Sequence, residues 1–149
     1  MLNDPVFKRN TVSMKNLTQL RWLCIDGCHN SVNCSLPTMS NLTNLTHLCL
    51  SSERNRLKMV NHIDISPLIS IKSLTSLGLS GYDTEDIGLR HFPNITSLDI
   101  TDTSDFHDLS RLPYLRQLFV SPWQVSMIEE GGMVLDHIFV NPPFYHSTF

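Results

Sequence analysis

One nine-residue pattern recurs along the chain, and its period changes partway through. In LTNLTHLCL, residues 42–50, the leucines stand at 42, 45, 48 and 50, three apart and then two. Neither a single helical face nor plain strand alternation gives that spacing. LTQLRWLCI at 17–25, IKSLTSLGL at 71–79, FPNITSLDI at 92–100 and LPYLRQLFV at 112–120 superimpose on it without a gap. A weaker sixth copy, GMVLDHIFV at 132–140, keeps the spacing from Leu135 onward. Each copy has three LxxLxL anchors, and all eighteen are Leu, Ile or Val in a chain where those residues fill about a quarter of positions. Chance does not produce that pattern, so the chain reads as a stack of similar units.

The two-residue step marks a short strand with alternating faces, so Leu48 and Leu50 point inward and Cys49 outward. The three-residue step marks chain that is still curving. LxxLxL copies offset by 25, 29, 21, 20 and 20 residues resemble the leucine-rich repeat family, whose units run to roughly 20–29 residues. The resemblance covers about residues 12–143. It implies an α/β leucine-rich-repeat solenoid of about six repeats, with a parallel β-sheet on the concave face and short helical or 3-10 turns and loops on the convex face. Strands stacked about 4.8 Å apart would span on the order of 24 Å. The chain departs from the family where an Asn or Cys should follow the strand. Only Cys28 fits there, and Glu53, Tyr82, Thr103, Trp123 and Pro143 fill the other copies. A regular polar ladder is therefore not expected on that side.

The whole chain, 1–149, reads as one domain: 1–16 a cap or partial repeat, 17–143 the repeats and 144–149 a tail. Asp64, Asp86 and Asp108 precede Ile65, Ile87 and Leu109, each placed to cap a short helix or 3-10 turn on the return path. Residues 26–41 and 51–67 are longer and polar, and they read as irregular loops. Open ends of a stack need covering. Val6, Phe7, Val12 and Met14 suit one end. At the other, Phe144, Tyr145 and Phe149 either fold over the last repeat or seal against another chain, giving a homodimer through the C-terminal end.

Eleven Lys and Arg are scattered among fourteen acids, for a net charge of −3, so no basic stripe argues for nucleic acid. The first residues lack the apolar core of a signal peptide, and no apolar run is long enough to span a membrane. A cytoplasmic setting is expected, extending to a host cytoplasm if the source is a pathogen or virus. There Cys24, Cys28, Cys34 and Cys49 would be thiols, and the sequons at Asn16, Asn33, Asn41, Asn44 and Asn94 incidental.

Strand residues between the anchors should emerge together on the concave face as rows. The first is Trp22, His47, Ser76, Ser97, Gln117 and His137; the second Cys24, Cys49, Gly78, Asp99, Phe119 and Phe139; the third Asp26, Ser51, Ser80, Thr101, Ser121 and Asn141. The middle is small and polar, and the ends are bulky. Aromatic residues on an open face are the usual anchors of a protein interface. Trp22, His47, Asp99, Gln117, Phe119, His137 and Phe139 are therefore the candidate contacts for a protein or peptide partner. Phe119 and Phe139 also suit a stabilising pair across adjacent strands.

Chemistry is the weaker reading. Cys24, Cys28, His29, Cys34, His47 and Cys49 gather soft ligands, but they form no CxxC, and side chains sharing a strand face do not converge tetrahedrally. Neither a metal nor a cofactor is expected. Asp99, His47 and His137 would lie on an open sheet rather than in the sheltered cleft that catalysis needs. The chain reads as a non-catalytic interaction module, the alternative being an assembly protein that self-associates through its aromatic C-terminal end.

Overall fold

The computed structural model describes residues 14, 16–26, 36–52, 61–83, 89–103, 109, 112–129 and 137–140. Six strands form one wholly parallel sheet, β1 (Trp22–Ile25), β2 (His47–Leu50), β4 (Ser76–Gly78), β6 (Ser97–Asp99), β7 (Gln117–Val120) and β8 (His137–Val140), in that spatial order. Two short strands, β3 (Asn61–His62) and β5 (Tyr82–Asp83), pair separately and also in parallel. The six main strands are the six repeated copies, and their register places the second anchors side by side as Leu23, Leu48, Leu77, Leu98, Leu118 and Ile138. Among the described residues helical structure is sparse: residues 36–39, 3-10 turns at Ser66–Ser70, Leu89–His91 and Pro122–Gln124, and the short helix Val125–Glu129.

The changing period has a hydrogen-bond cause. Ahead of β2 the chain makes successive i→i+3 turns: Leu42 N–H donates to Met39 O at 2.8 Å and Leu45 N–H to Leu42 O at 2.9 Å. The same bonds run from Leu17 to Met14, Ile71 to Leu68, Phe92 to Leu89 and Leu112 to Leu109. At three residues per turn, side chains i and i+3 eclipse, so anchors three apart all face the core. Once the chain extends, the anchors fall two apart. The turns also show an anchor that lies outside the nine-residue repeat, at Met14, Met39, Leu68, Leu89 and Leu109. All but Met14 are buried, and Met14 packs against the core.

Polar side chains tie three of these approach turns to the previous repeat. Asn44 Nδ2 donates to Thr18 O, Ser73 Oγ to Thr43 O and Asn94 Nδ2 to Lys72 O. Two positions later, Thr46, Thr75 and Thr96 donate their hydroxyls to Arg21 O, Thr46 O and Thr75 O. Each of those carbonyls also accepts two backbone N–H groups; Arg21 O takes those of Thr46 and His47. The regular ladder thus lies on the approach to the strand.

The far side follows other rules. Gly81 and Asp102, equivalent positions two residues beyond their strands' last anchors, have φ of 74° and 62°. A Cβ on Gly81 would meet Ser52 O at 2.8 Å, so the turn needs glycine for space as well as for φ. Asp102 holds its turn with its own side chain: its carboxylate accepts the Ser121 hydroxyl, and its N–H donates to the same Ser121 Oγ. In the fifth copy Pro122 takes the position, and its ring fixes φ near −65°, so a 3-10 turn and then a helix replace the bend.

At the Asn/Cys position, Thr103 donates to Leu79 O at 3.2 Å, whereas Tyr82 is buried in the core. Trp123 stays exposed, and the fully buried Gln124 beside it does the pairing instead: Nε2 donates to Ile100 O and Thr103 O, and Oε1 accepts Ser121 N–H. Asp64 accepts Ser66 N–H at 2.9 Å, steadying the start of the Ser66–Ser70 turn. Those hydrogen bonds, from the Ser66 side chain and backbone, hold the Asp64 carboxyl below its ordinary value. Asp86 and Asp108 lie outside the described residues, as do Cys28, Glu53, Pro143, Val6, Phe7, Val12 and the 144–149 tail.

The expectation of irregular loops at 26–41 and 51–67 is corrected in its described parts. Residues 36–39 are helical, with Leu36 and Met39 buried three apart, and β3 is followed by the buried Ile63 and Ile65. Apolar residues at turn and strand spacing carry these stretches into the core despite the polar residues around them.

Candidate interaction face

The register assembles the two rows of side chains opposite the core. Trp22, His47, Ser76, Ser97, Gln117 and His137 are lateral neighbours in that order, as are Cys24, Cys49, Gly78, Asp99, Phe119 and Phe139. All seven candidate contacts stand in these rows, but they are not equally accessible. Trp22 is 52% exposed and Phe139 39%, Gln117 and His137 are exposed, and His47 and Phe119 are partly buried. Asp99 is 0% exposed, and its Oδ1 accepts Thr101 N–H at 2.9 Å, a bond that shapes the exit from β6. Ser76 and Ser97 are buried too. Strand alternation decides the side from which a side chain leaves, not whether solvent reaches it, so the face is open at its two ends and closed in the middle.

At the β1–β2 end, the Trp22 and His47 rings stack with centroids 4.2 Å apart and planes 21° from parallel. The Thr46 hydroxyl donates to Arg21 O, so its oxygen is left to receive the His47 Nδ1–H at 2.8 Å. Burial lowers the His47 pKa from its ordinary 6.5, because the imidazolium loses hydration there. The unfolded chain therefore takes the proton more readily. This group's contribution to stability is complete above the unfolded value and erodes as pH falls through the window between that value and the lower folded one. In a Trp123→Phe background, Trp22 emission is expected to fall on acidification with a midpoint below 6.5, since imidazolium quenches indole. A midpoint above that value would show that burial does not dominate.

At the other end, Phe119 and Phe139 stack at 4.7 Å and 13°, with His137 tilted against Phe139 at 5.9 Å. The cross-strand pair expected from the sequence is thus formed, while Phe139 keeps open surface. Two exposed rings escaped the sequence reading or stood at its margin: Tyr114 and Trp123. Tyr114 occupies the position where Asn44, Ser73 and Asn94 tie repeats together, and its departure from those small polar residues is the signal that marks it.

The titratable groups are dispersed. His47 on β2 and His137 on β8 are four strands apart, about 19 Å at the usual strand spacing. Among the described residues no three of His, Cys, Asp and Glu gather to hold a metal ion, and Cys24 and Cys49 are thiols. No helix among the described residues is long and apolar enough to cross a membrane. Compared with known proteins, the chain matches no family model and no curated protein.

Proposed function

We propose that the chain is a leucine-rich-repeat solenoid that binds a protein or peptide partner, without chemistry of its own, through the face bearing Trp22, His47, Gln117, Phe119, His137 and Phe139. The observation that carries this reading is the pairing of aromatic clusters at both ends of one in-register face with small buried residues between them. Large rings held in place by their neighbours lose little entropy on binding, which is why such residues dominate interface energetics. Asp99 drops out of the contact set because its side chain is inaccessible. A cytoplasmic setting accompanies the reading, since thiols persist there.

Replacing both Phe119 and Phe139 by Ser is expected to abolish partner capture from lysate while leaving the circular dichroism unchanged. Each buried aromatic contact of this kind is worth about 2 kcal/mol or more at an interface, or roughly 30-fold or greater in Kd. Retained capture by a folded double variant would refute the assignment of this face.

A second reading rests on β8, where Ile138 is 42% exposed and Val140 48%, although both sit at anchor positions. Self-association through that end would cover them. Light scattering at micromolar concentration separates the readings: a dimer lost on Ile138→Lys favours assembly, and a monomer favours the open-face module.

A further inference from the structure

Three lateral pairs follow one another on the open face of the β1–β2 ribbon. Trp22 stacks on His47, Cys24 stands beside Cys49, and the Ser51 hydroxyl donates to the Asp26 carboxylate. We propose that the middle pair is a redox modification site, in which Cys24 and Cys49 join in a reversible disulfide that fastens the first strand of the sheet to the second.

Register makes the bond reachable. Cys24 and Cys49 are direct partners in a parallel ladder, which sets their Cα atoms about 4.8 Å apart, inside the roughly 4.4–6.8 Å that a disulfide spans. The pairs before and after them touch across the same face, so both thiols leave from that face too. Parallel strands also hold the two Cβ atoms about as far apart as the Cα atoms, wider than the ~3.8 Å of a relaxed disulfide. The bond therefore forms under strain, and strain makes a disulfide easier to reduce. That suits a bond made and broken with the cell's redox poise, the usual kind in a cytoplasmic protein.

Exposure assigns the roles. Cys24 is exposed and Cys49 buried. The Cys24 thiolate attacks one sulfur of an oxidised small-molecule disulfide such as oxidised glutathione, forming a mixed disulfide and releasing one glutathione thiolate, which takes up the Cys24 proton. The Cys49 thiolate then attacks the Cys24 sulfur, closing the protein disulfide and releasing the second glutathione with the Cys49 proton. Two protein thiols are oxidised, and one glutathione disulfide is reduced to two thiols. The bond acts at an outer strand of the sheet, β1, whose anchors Leu23 and Ile25 are only partly buried. Once closed, it holds Trp22 over His47 whether or not a partner is bound.

Oxidised glutathione at neutral pH, followed by non-reducing digestion and mass spectrometry, is expected to give a Cys24–Cys49 cross-linked peptide that dithiothreitol releases. Cys49→Ser should stop at a lasting glutathione adduct on Cys24, and Cys24→Ser should leave Cys49 unmodified. A lasting adduct on Cys24 in the unaltered protein, or a bridge from Cys24 to Cys28 or Cys34, would overturn the proposal. Hydrogen exchange at the β1 amides should slow several-fold on oxidation, and unchanged exchange would overturn the fastening role. No partner is needed in these measurements, so their failure is separate from failure of the recognition reading.

Discussion

Leu98→Ala is expected to lower unfolding free energy by about 3–4 kcal/mol, and Ile138→Ala by about 1 kcal/mol or less, although both are the second anchor of their repeats. The difference is burial. Leu98 is wholly buried between strands on both sides, whereas Ile138 lies on an outer strand and is 42% exposed. Truncating Leu98 leaves a cavity that β4 and β7 cannot close without moving their own anchors, and that cavity adds to the lost transfer energy. At Ile138 there is little cavity to leave. Urea titrations of the two variants decide the matter, and similar costs would mean that the outer strand is packed far more tightly than its exposure indicates.

Gln124→Leu is expected to cost about 2–4 kcal/mol, because it strands two backbone groups at once, Thr103 O and Ser121 N–H, and leaves Ile100 O with the Thr103 N–H alone. Each buried orphan carries a penalty of about 1–3 kcal/mol, which the added apolar burial only partly offsets. Gln124→Glu gives a sharper test. Its carboxylate can still accept Ser121 N–H but cannot donate to either carbonyl, so the acid's pKa should rise on folding. The variant should accordingly be least stable at neutral pH and recover as pH falls and the acid becomes a donor. A Leu variant within 1 kcal/mol of the original protein would refute the bonding role assigned to this side chain.

Much of the architecture was legible in the sequence because the repeat converts spacing directly into position. The anchors of all six strands, the order of the rows and the Phe119–Phe139 pair follow from one pattern and one register. What escaped the reading is depth and polar pairing. Asp99 obeys the alternation and is still inaccessible, since a period of two carries no information about cover. The anchor shared by Met39, Leu68, Leu89 and Leu109 lay just outside the aligned window, though one further step of three residues would have reached it. Gln124 stands one residue beyond Trp123, where the repeat spacing alone puts the polar side chain, so the pattern does not point to it. Ser121 and Gln124 do have capping-box spacing, which was the available signal.

The shared carbonyls on the approach to each strand have an electrical consequence. The N–H groups of Thr46, His47, Thr75, Ser76, Thr96, Ser97, Arg116 and Gln117 all donate toward the preceding repeat, while the carbonyls of Arg21, Thr46, Thr75 and Thr96 all point toward the next. Peptide dipoles of about 3.5 D each are thereby lined up along the stacking direction rather than along any strand. Their sum gives this edge of the sheet a positive pole beside β1 and a negative pole beside β8. An elongated ligand laid across the strands would meet a field that distinguishes its two ends.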